Sequence, residues 1–345
     1  MSEEVKTTVV PAAGLSRWQK VGPVLTLLLL SPVIGEVMSG ATRLSYIFVL
    51  VPEIMVWGCG TLLIREVVRR WQAGWPSMLL LGFGLSVAEE FIIQQTSLAP
   101  LPWAAAAPTY GRVWGVNWPY FLFMLGYEAV WIVLVPIQLT ELLFPGRRHE
   151  PWLRLRGLIV AGGVFLAGSF IAWFLWTQRA RPLAFHVPVY HPPVTTVLIG
   201  VFAIVALAAA ARRARRSCRT LSSGKPPRLW VVTTAALVLG LPWYSLMALV
   251  FAPAPRVPVW VPLVLATAWG AAAFLLLMRW SLTSGWRDIH RWALCLGALL
   301  VCMLGGFLGA GAWPLTDIVA KAIFNVVGIV CMVALAKRIV TRAAV

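Results

Sequence analysis

Charge is what this sequence has least of. Only 12% of its 345 residues are charged, with 12 acidic side chains and four histidines, while 60% are hydrophobic. An ordinary soluble domain carries about 25% charged residues, and one this apolar could not keep its surface in water. Paired cysteines are lacking too. The five cysteines at 59, 218, 295, 302 and 331 form no CxxC pair and no metal-ligand spacing, which removes a disulfide framework and a structural zinc site. No Walker sequence, no Rossmann fingerprint and no HExxH stretch occurs, so nucleotide-driven and zincin chemistry are excluded as readings. No metal and no cofactor is expected.

Long apolar runs are abundant instead. They lie near 22–40, 45–64, 77–96, 118–143, 157–177, 193–211, 229–251, 257–278, 292–312 and 318–336. About 20 residues at 1.5 Å each cross the roughly 30 Å of hydrocarbon in a bilayer. The expected fold is all-α: a polytopic transmembrane bundle of about ten helices forming one integral membrane domain. The first run follows Lys6, Arg17 and Lys20, yet it is too long for a signal peptide and reads as a retained helix. Several of the 19 tryptophans, such as Trp75, Trp118, Trp152, Trp230, Trp260, Trp280 and Trp313, fall at run ends, where indole rings anchor to headgroups.

The basic residues test this map. With the N-terminus cytoplasmic, 23 of the 29 Lys and Arg fall in inside segments and five outside (Arg43, Arg112, Arg179, Arg181 and Arg256), Lys321 lying within a helix. A miscounted helix would invert the bias partway along, so both termini are expected in the cytoplasm. The same distribution explains the net charge of +17 without nucleic acid, since no aromatic-interleaved basic groove accompanies it. The densest cluster, Arg212, Arg213, Arg215 and Arg216 with Arg219, reads as an anchor to anionic lipid. Helical architecture and arginine-rich inside loops suggest a bacterial inner membrane.

Function has to come from groups a bilayer excludes. A carboxylate inside a membrane helix costs roughly 2.5–3.5 kcal/mol on insertion scales and is a functional hypothesis by default. Glu36, Glu53, Glu89, Glu90, Glu128 and Glu141 all fall in the first four runs, and the interiors of runs five to nine hold none. Residues 22–143 thus read as the chemically active part and 157–336 as scaffold. Glu53, Glu89, Glu90 and Glu128 come out roughly 9–15 Å below the outer face, with Glu36 nearer the surface and Glu141 near the cytoplasmic end. Carboxylates in one layer cannot all be ionised, so the group is expected to bind a proton or small cation, or to activate water. The bland alternative is protonated glutamates bonding neighbouring helices. The connection from Ser97 to Asn117 is long enough to act as a lid. Asp317, Lys321 and Asn325 share one face of the last helix at i, i+4, i+8, where Asp and Lys could neutralise each other. Gly305, Gly306, Gly309 and Gly311 offer a close-packing face on the ninth.

The stretch Glu89-Glu90-Phe91-Ile92-Ile93 resembles the first motif of the CAAX-protease and bacteriocin-processing family, which are glutamate-dependent intramembrane proteases. That resemblance implies catalysis by Glu89 or Glu90, with Glu128 at a place where a helix-borne histidine would help. In that family an Arg follows the dyad after three residues and histidines on later helices complete the site. Here Gln94 follows, and His149, His186, His191 and His290 lie in loops or at helix ends. YGRVWGVNW (110–118) and ELLFPGRRHEPWL (141–153) are similar to stretches of bacterial polytopic membrane proteins. The leading expectation is a proton- or cation-coupled transporter-like protein, with a glutamate protease-like protein and a non-catalytic membrane scaffold as alternatives.

Overall fold

The computed structural model describes residues 16–102, 110–214, 224–251, 256–308 and 310–344. It is all-α apart from one two-residue hairpin, and it contains ten helices long and apolar enough to cross a membrane. They are α1 (Arg17–Met38), α2 (Leu44–Arg70), α3 (Trp75–Ile93), α4 (Trp118–Leu143), α5 (Leu155–Ala184), α6 (Val194–Ala214), α7 (Leu229–Val250), α8 (Trp260–Ser281), α9 (Asp288–Gly305) and α10 (Leu315–Ala344). All ten apolar runs became helices. The main differences are the ninth run, expected to reach 312, whose helix stops at Gly305, before Gly306, Gly309 and Gly311, and extensions at basic ends, α2 to Arg70, α6 to Ala214 and α10 to Ala344. There the side chains are polar but the backbone still gains its i→i−4 bonds, and cations suit a helix C-terminus.

Successive helices run in alternating directions, so contacts between connections sort to two ends. At one end Asp317 at the start of α10 reaches Ser45 at the start of α2, and Arg181 near the end of α5 reaches the Pro100 carbonyl. At the other, Arg147 meets the Gln19 carbonyl of α1 and Arg342 of α10 meets the Leu142 carbonyl. With ten helices, the start of α1 and the end of α10 share this second end.

Burial separates an inner set from an outer one. α3 and α4 bury 67% and 61% of their apolar windows and α1 50%, against 6% for α8 and 11% for α5 and α6. α4 is the hub, packed on α1, α3, α7 and α9. The outer helices carry exposed Leu166, Leu198, Phe202, Val264 and Leu275, a surface suited to lipid rather than water. α9 belongs to the inner set, packed against α1, α4 and α7. The spatial core is therefore α1 to α4 with α9 inserted from the second half.

Four of the inner helices' turns are π-helical: Val33–Met38 in α1, Ile54–Gly58 in α2, Glu89–Ile93 in α3 and Glu128–Leu134 in α4. A π turn bonds i→i+5 and disturbs the regular ladder. Neighbouring side chains supply further partners to its carbonyls. Ser31 Oγ lies 2.8 Å from the Ile132 carbonyl and 3.1 Å from that of Trp57, and Thr61 Oγ1 donates to Ile132 O at 3.0 Å. Tyr127 OH and Ser39 Oγ donate to the Gly35 carbonyl, and Cys302 Sγ to that of Ile34. These bonds cross α1, α2, α4 and α9 in the dry centre, where an unmatched carbonyl would be costly. Gly58 permits the approach of α2 to α1, since a Cβ there would fall 2.4 Å from the Leu28 carbonyl oxygen.

Candidate functional site

Each glutamate of the anticipated layer sits on one of the widened turns or directly before it. Glu36 lies within the α1 turn, Glu53 immediately precedes that of α2, Glu89 and Glu90 open that of α3, and Glu128 opens that of α4. π turns recur at functional sites. No residue pattern in the sequence announced them.

The structure brings these side chains together. Glu128 interacts electrostatically with Glu90, Glu89 and Glu36, Glu89 with Glu90 and Glu36, and Glu36 with Glu53. Glu36 is thus the link between Glu53 and the rest. Glu89, Glu90 and Glu128 are buried at 2%, 0% and 0% exposure. Glu53 accepts a hydrogen bond from Thr42 Oγ1 in the α1–α2 turn. Glu90 Oε2 accepts from Thr96 Oγ1 at 2.7 Å and Ser97 Oγ at 2.6 Å. The Tyr120 phenol lies in the field of Glu90, Glu128 and Glu36.

Much acceptor capacity is unused. One oxygen each of Glu53, Glu89 and Glu90 is buried without a hydrogen-bond partner, and among the described residues Glu128 has only the Ser86 hydroxyl beside it. Among the described residues no ion pair reaches Glu36, Glu53, Glu89, Glu90 or Glu128. Nor, among those residues, do three His, Cys, Asp or Glu side chains converge closely enough to ligate one metal ion.

The other end of the same helices is built oppositely. Glu141 of α4, fully buried, takes Arg69 Nη2 at 2.5 Å, Arg65 Nε at 3.3 Å and Arg291 Nη2 at 3.3 Å. Arg65, also fully buried, donates to Glu66 at 3.0 Å and to the carbonyls of Glu150, Arg147 and Arg148 at 2.8–3.1 Å, with its guanidinium 3.5 Å from the Trp152 ring centre. Glu66 accepts from Arg70 and from the backbone N–H groups of Trp152 and Leu153. Asp288 at the start of α9 pairs with Arg148 and Arg291. This network straps the 144–153 connection over the end of α2 and α4. The sequence reading counted its arginines only as topology signals and passed over Glu66, which lies just beyond the second apolar run. The pairing becomes visible only when α2, α4 and α9 are brought together.

One imidazole borders the network. Burial, then the neighbouring Arg148 and Arg69 guanidiniums, hold His149 below its ordinary value of 6.5, with Arg291 adding to the shift and Glu141 opposing it. A histidine lowered in the folded state is neutral at pH 7, and stability is lost as pH falls through about 6.5, where the unfolded chain takes the proton more readily. NMR titration of the His149 ring is expected to give a midpoint below 6.5; a midpoint at or above it would mean that the arginines do not face this ring.

The polar face of α10 does not form the internal pair its spacing allowed. Asp317 accepts from Ser45 N at 3.0 Å and Ser45 Oγ at 2.8 Å, whereas Lys321 donates to the Met38 carbonyl and lies 4.5 Å from the Phe307 ring centre. Asn325 is buried with its Oδ1 unmatched. Asp317 and Lys321 find better partners in the exposed backbone of the α1–α2 turn than in each other, and so fix the turn that brings Thr42 to Glu53. The connection after α3 begins where a lid would have to begin: Ser97 touches Glu90, and Leu98, Ala99 and Leu101 are buried. It is tied down by Arg112 on the carbonyls of Leu98 and Ala99 and by the hairpin Arg112–Val113 with Val116–Asn117. Arg212 and Arg213 end α6 exposed, while Arg215 and Arg216 lie outside the described residues.

No family model matches this chain, and no curated protein or solved structure matches it.

Proposed function

We propose that this chain is a multi-pass membrane protein whose inner carboxylates bind and pass on a proton or small cation, as in a proton- or cation-coupled transporter. One contrast carries the reading. At one end of α2 and α4 the acids Glu66 and Glu141 are matched by arginines, and Glu36, Glu53, Glu89, Glu90 and Glu128 toward the other end of α1 to α4 have no cationic partner among the described residues. A buried carboxylate is neutralised by a proton, a paired charge or a bound cation. The hydroxyls of Thr42, Thr96 and Ser97 at the two margins of the group can both accept and donate, which suits proton exchange. Because no three of these acids converge as metal ligands among the described residues, the proton is the better-supported occupant.

The arginine-bearing end, with both the start of α1 and the end of α10, faces the cytoplasm on this reading. The glutamate group then opens toward the outer face, and the membrane is the inner membrane of a bacterium. Catalysis by Glu89 or Glu90, as the resemblance to the intramembrane glutamate proteases implies, calls for an imidazole or guanidinium beside the dyad. Thr96, Ser97 and Tyr120 stand there instead, which favours proton binding over hydrolysis.

The test is infrared difference spectroscopy on the protein in lipid, following the protonated-carboxyl band across a pH step. Wild type is expected to show a titrating band that loses intensity in Glu128→Gln and Glu90→Gln. In liposomes holding a pH-sensitive dye, the same variants are expected to fall to the proton leak of empty vesicles. A wild type without a titrating carboxyl would assign these glutamates to helix packing and the protein to a scaffold role.

A further inference from the structure

At the arginine-bearing end an open groove of about 640 Å³ lies between the 145 turn, the start of α9 and the end of α10. That is the size of a small-molecule site. Its walls include Arg287 and Arg342, and its apolar lining includes Pro145, Ile289, Ile339 and Val340. The charges do not balance. Asp288, the acid at the groove, is already engaged by Arg148 and Arg291. Among the described residues Arg287 and Arg342 take part in no ion pair, and Arg338 adds its field to that of Arg342. Arg342 spends Nη1 on the Leu142 carbonyl at 3.2 Å, and its Nη2 is buried with no partner. Both arginines border the groove, and Arg favours phosphate through its planar fork.

The apolar side of the groove continues along the bundle. Val326, Val330, Val333 and Val340 are all exposed on α10. Their offsets of 4, 7 and 14 residues from Val326 place them within about 80° of one another on the helix. Lys337, exposed at an offset of 11, shares this face between Val333 and Val340. A cationic pocket at a helix end, with a further cation above it and an apolar stretch from Val333 to Val326 beyond, matches a molecule with an anionic head and a hydrocarbon tail. We propose that this groove binds an anionic phospholipid, its phosphate on Arg342 and Arg287 and its acyl chain along the valine stripe. The site rests on the membrane assignment but not on proton binding by the glutamates. It is distinct from the surface cluster beginning at Arg212, since neither Arg212 nor Arg213 lines it.

Native mass spectrometry of the purified protein, equilibrated with phosphatidylglycerol and phosphatidylcholine in detergent, tests this. Phosphatidylglycerol is expected to be retained over phosphatidylcholine. Occupancy should drop roughly five-fold for each arginine removed in Arg342→Gln and Arg287→Gln, from about 1 kcal/mol per basic residue near a membrane surface. Arg154→Gln with Arg156→Gln, two exposed arginines at the start of α5, is expected to leave this occupancy unchanged; an equal loss there would show that retention follows total charge and overturn the site. Excess inorganic phosphate is expected not to displace the lipid. Displacement would assign the groove to free phosphate and overturn the lipid. Val333→Asn is expected to weaken lipid retention without touching a charge, and unaltered retention would remove the acyl track. The infrared carboxyl band should be the same in Arg342→Gln as in wild type, so either reading can fail alone.

Discussion

Glu141→Gln is expected to destabilise the protein by about 3–5 kcal/mol, the cost of breaking a buried ion pair from one side, while Glu128→Gln costs little or nothing. Both residues are glutamates on α4, both are fully buried, and the substitution removes the same charge. What differs is the company. Taking the charge from Glu141 leaves Arg65, Arg69 and Arg291 facing an amide, with Arg65 wholly enclosed. Among the described residues Glu128 has no cation to abandon and only the Ser86 hydroxyl beside it, which an amide can equally well engage, so an amide of equal shape replaces a group that must already be neutralised. Arg65→Met is expected to equal or exceed Glu141→Gln, because it also frees three backbone carbonyls and the face of Trp152. Thermal unfolding in detergent at pH 7 provides the comparison. Equal losses for the two glutamine variants would contradict the charge asymmetry on which the functional reading depends.

Gly306→Ala should be the most damaging alanine substitution among the described glycines. A Cβ at that position would lie 1.5 Å from the Ser39 carbonyl oxygen and 2.8 Å from Lys321 Nζ. The obstacle is backbone, so the turn itself would have to move. That turn also carries Thr42 to Glu53 and Ser45 to Asp317, and the disturbance is therefore expected to reach the glutamate group. Overpacking of this kind costs about 3 kcal/mol or more when no side chain can yield. Gly162→Ala is the control: nothing lies within 4 Å of its Cβ position on α5, and helix propensity alone should then favour alanine slightly. Thermal unfolding of the two variants checks the pair; a Gly306→Ala protein as stable as Gly162→Ala would mean that α9 does not touch the first turn.

Of the four glycines that suggested a packing face on α9, only some serve it. Gly305 meets the Tyr244 ring and Gly306 the Ser39 carbonyl, Gly311 faces open space, and Gly309 lies outside the described residues. The rest of the fold was similarly uneven in its legibility. All ten helices were readable, because apolar length is a local property and each run carries its own. A shared neighbourhood of Glu53, Glu89, Glu90 and Glu128 was suggested by counting residues along those runs, whereas the link that Glu36 makes between Glu53 and the others was not, since it depends on how α1 packs against its neighbours. The arginine network was hidden for a related reason: Arg65, Glu66, Glu141, Asp288 and Arg291 come from three helices, and their spacing in sequence says nothing of their meeting. The π turns left no trace at all, being a response of the backbone to its neighbours and not a preference of the residues within it.

Those turns also act as phase shifters. An α-helix keeps a fixed rotational setting from end to end, so a side chain near one end determines which way every other residue points. A single π turn sets everything beyond it back by about one residue, roughly 100°. α4 thus has two independent orientations, one that aims Glu128 among the other glutamates and one that aims Glu141 at the arginines. The turn at Glu128–Leu134 is the joint between them. The two ends of a rod that would otherwise be locked in register can therefore be tuned separately: a one-residue deletion within that turn would be absorbed by a return to regular α-helix, whereas a one-residue deletion elsewhere between Glu128 and Glu141 would rotate one end's chemistry out of place.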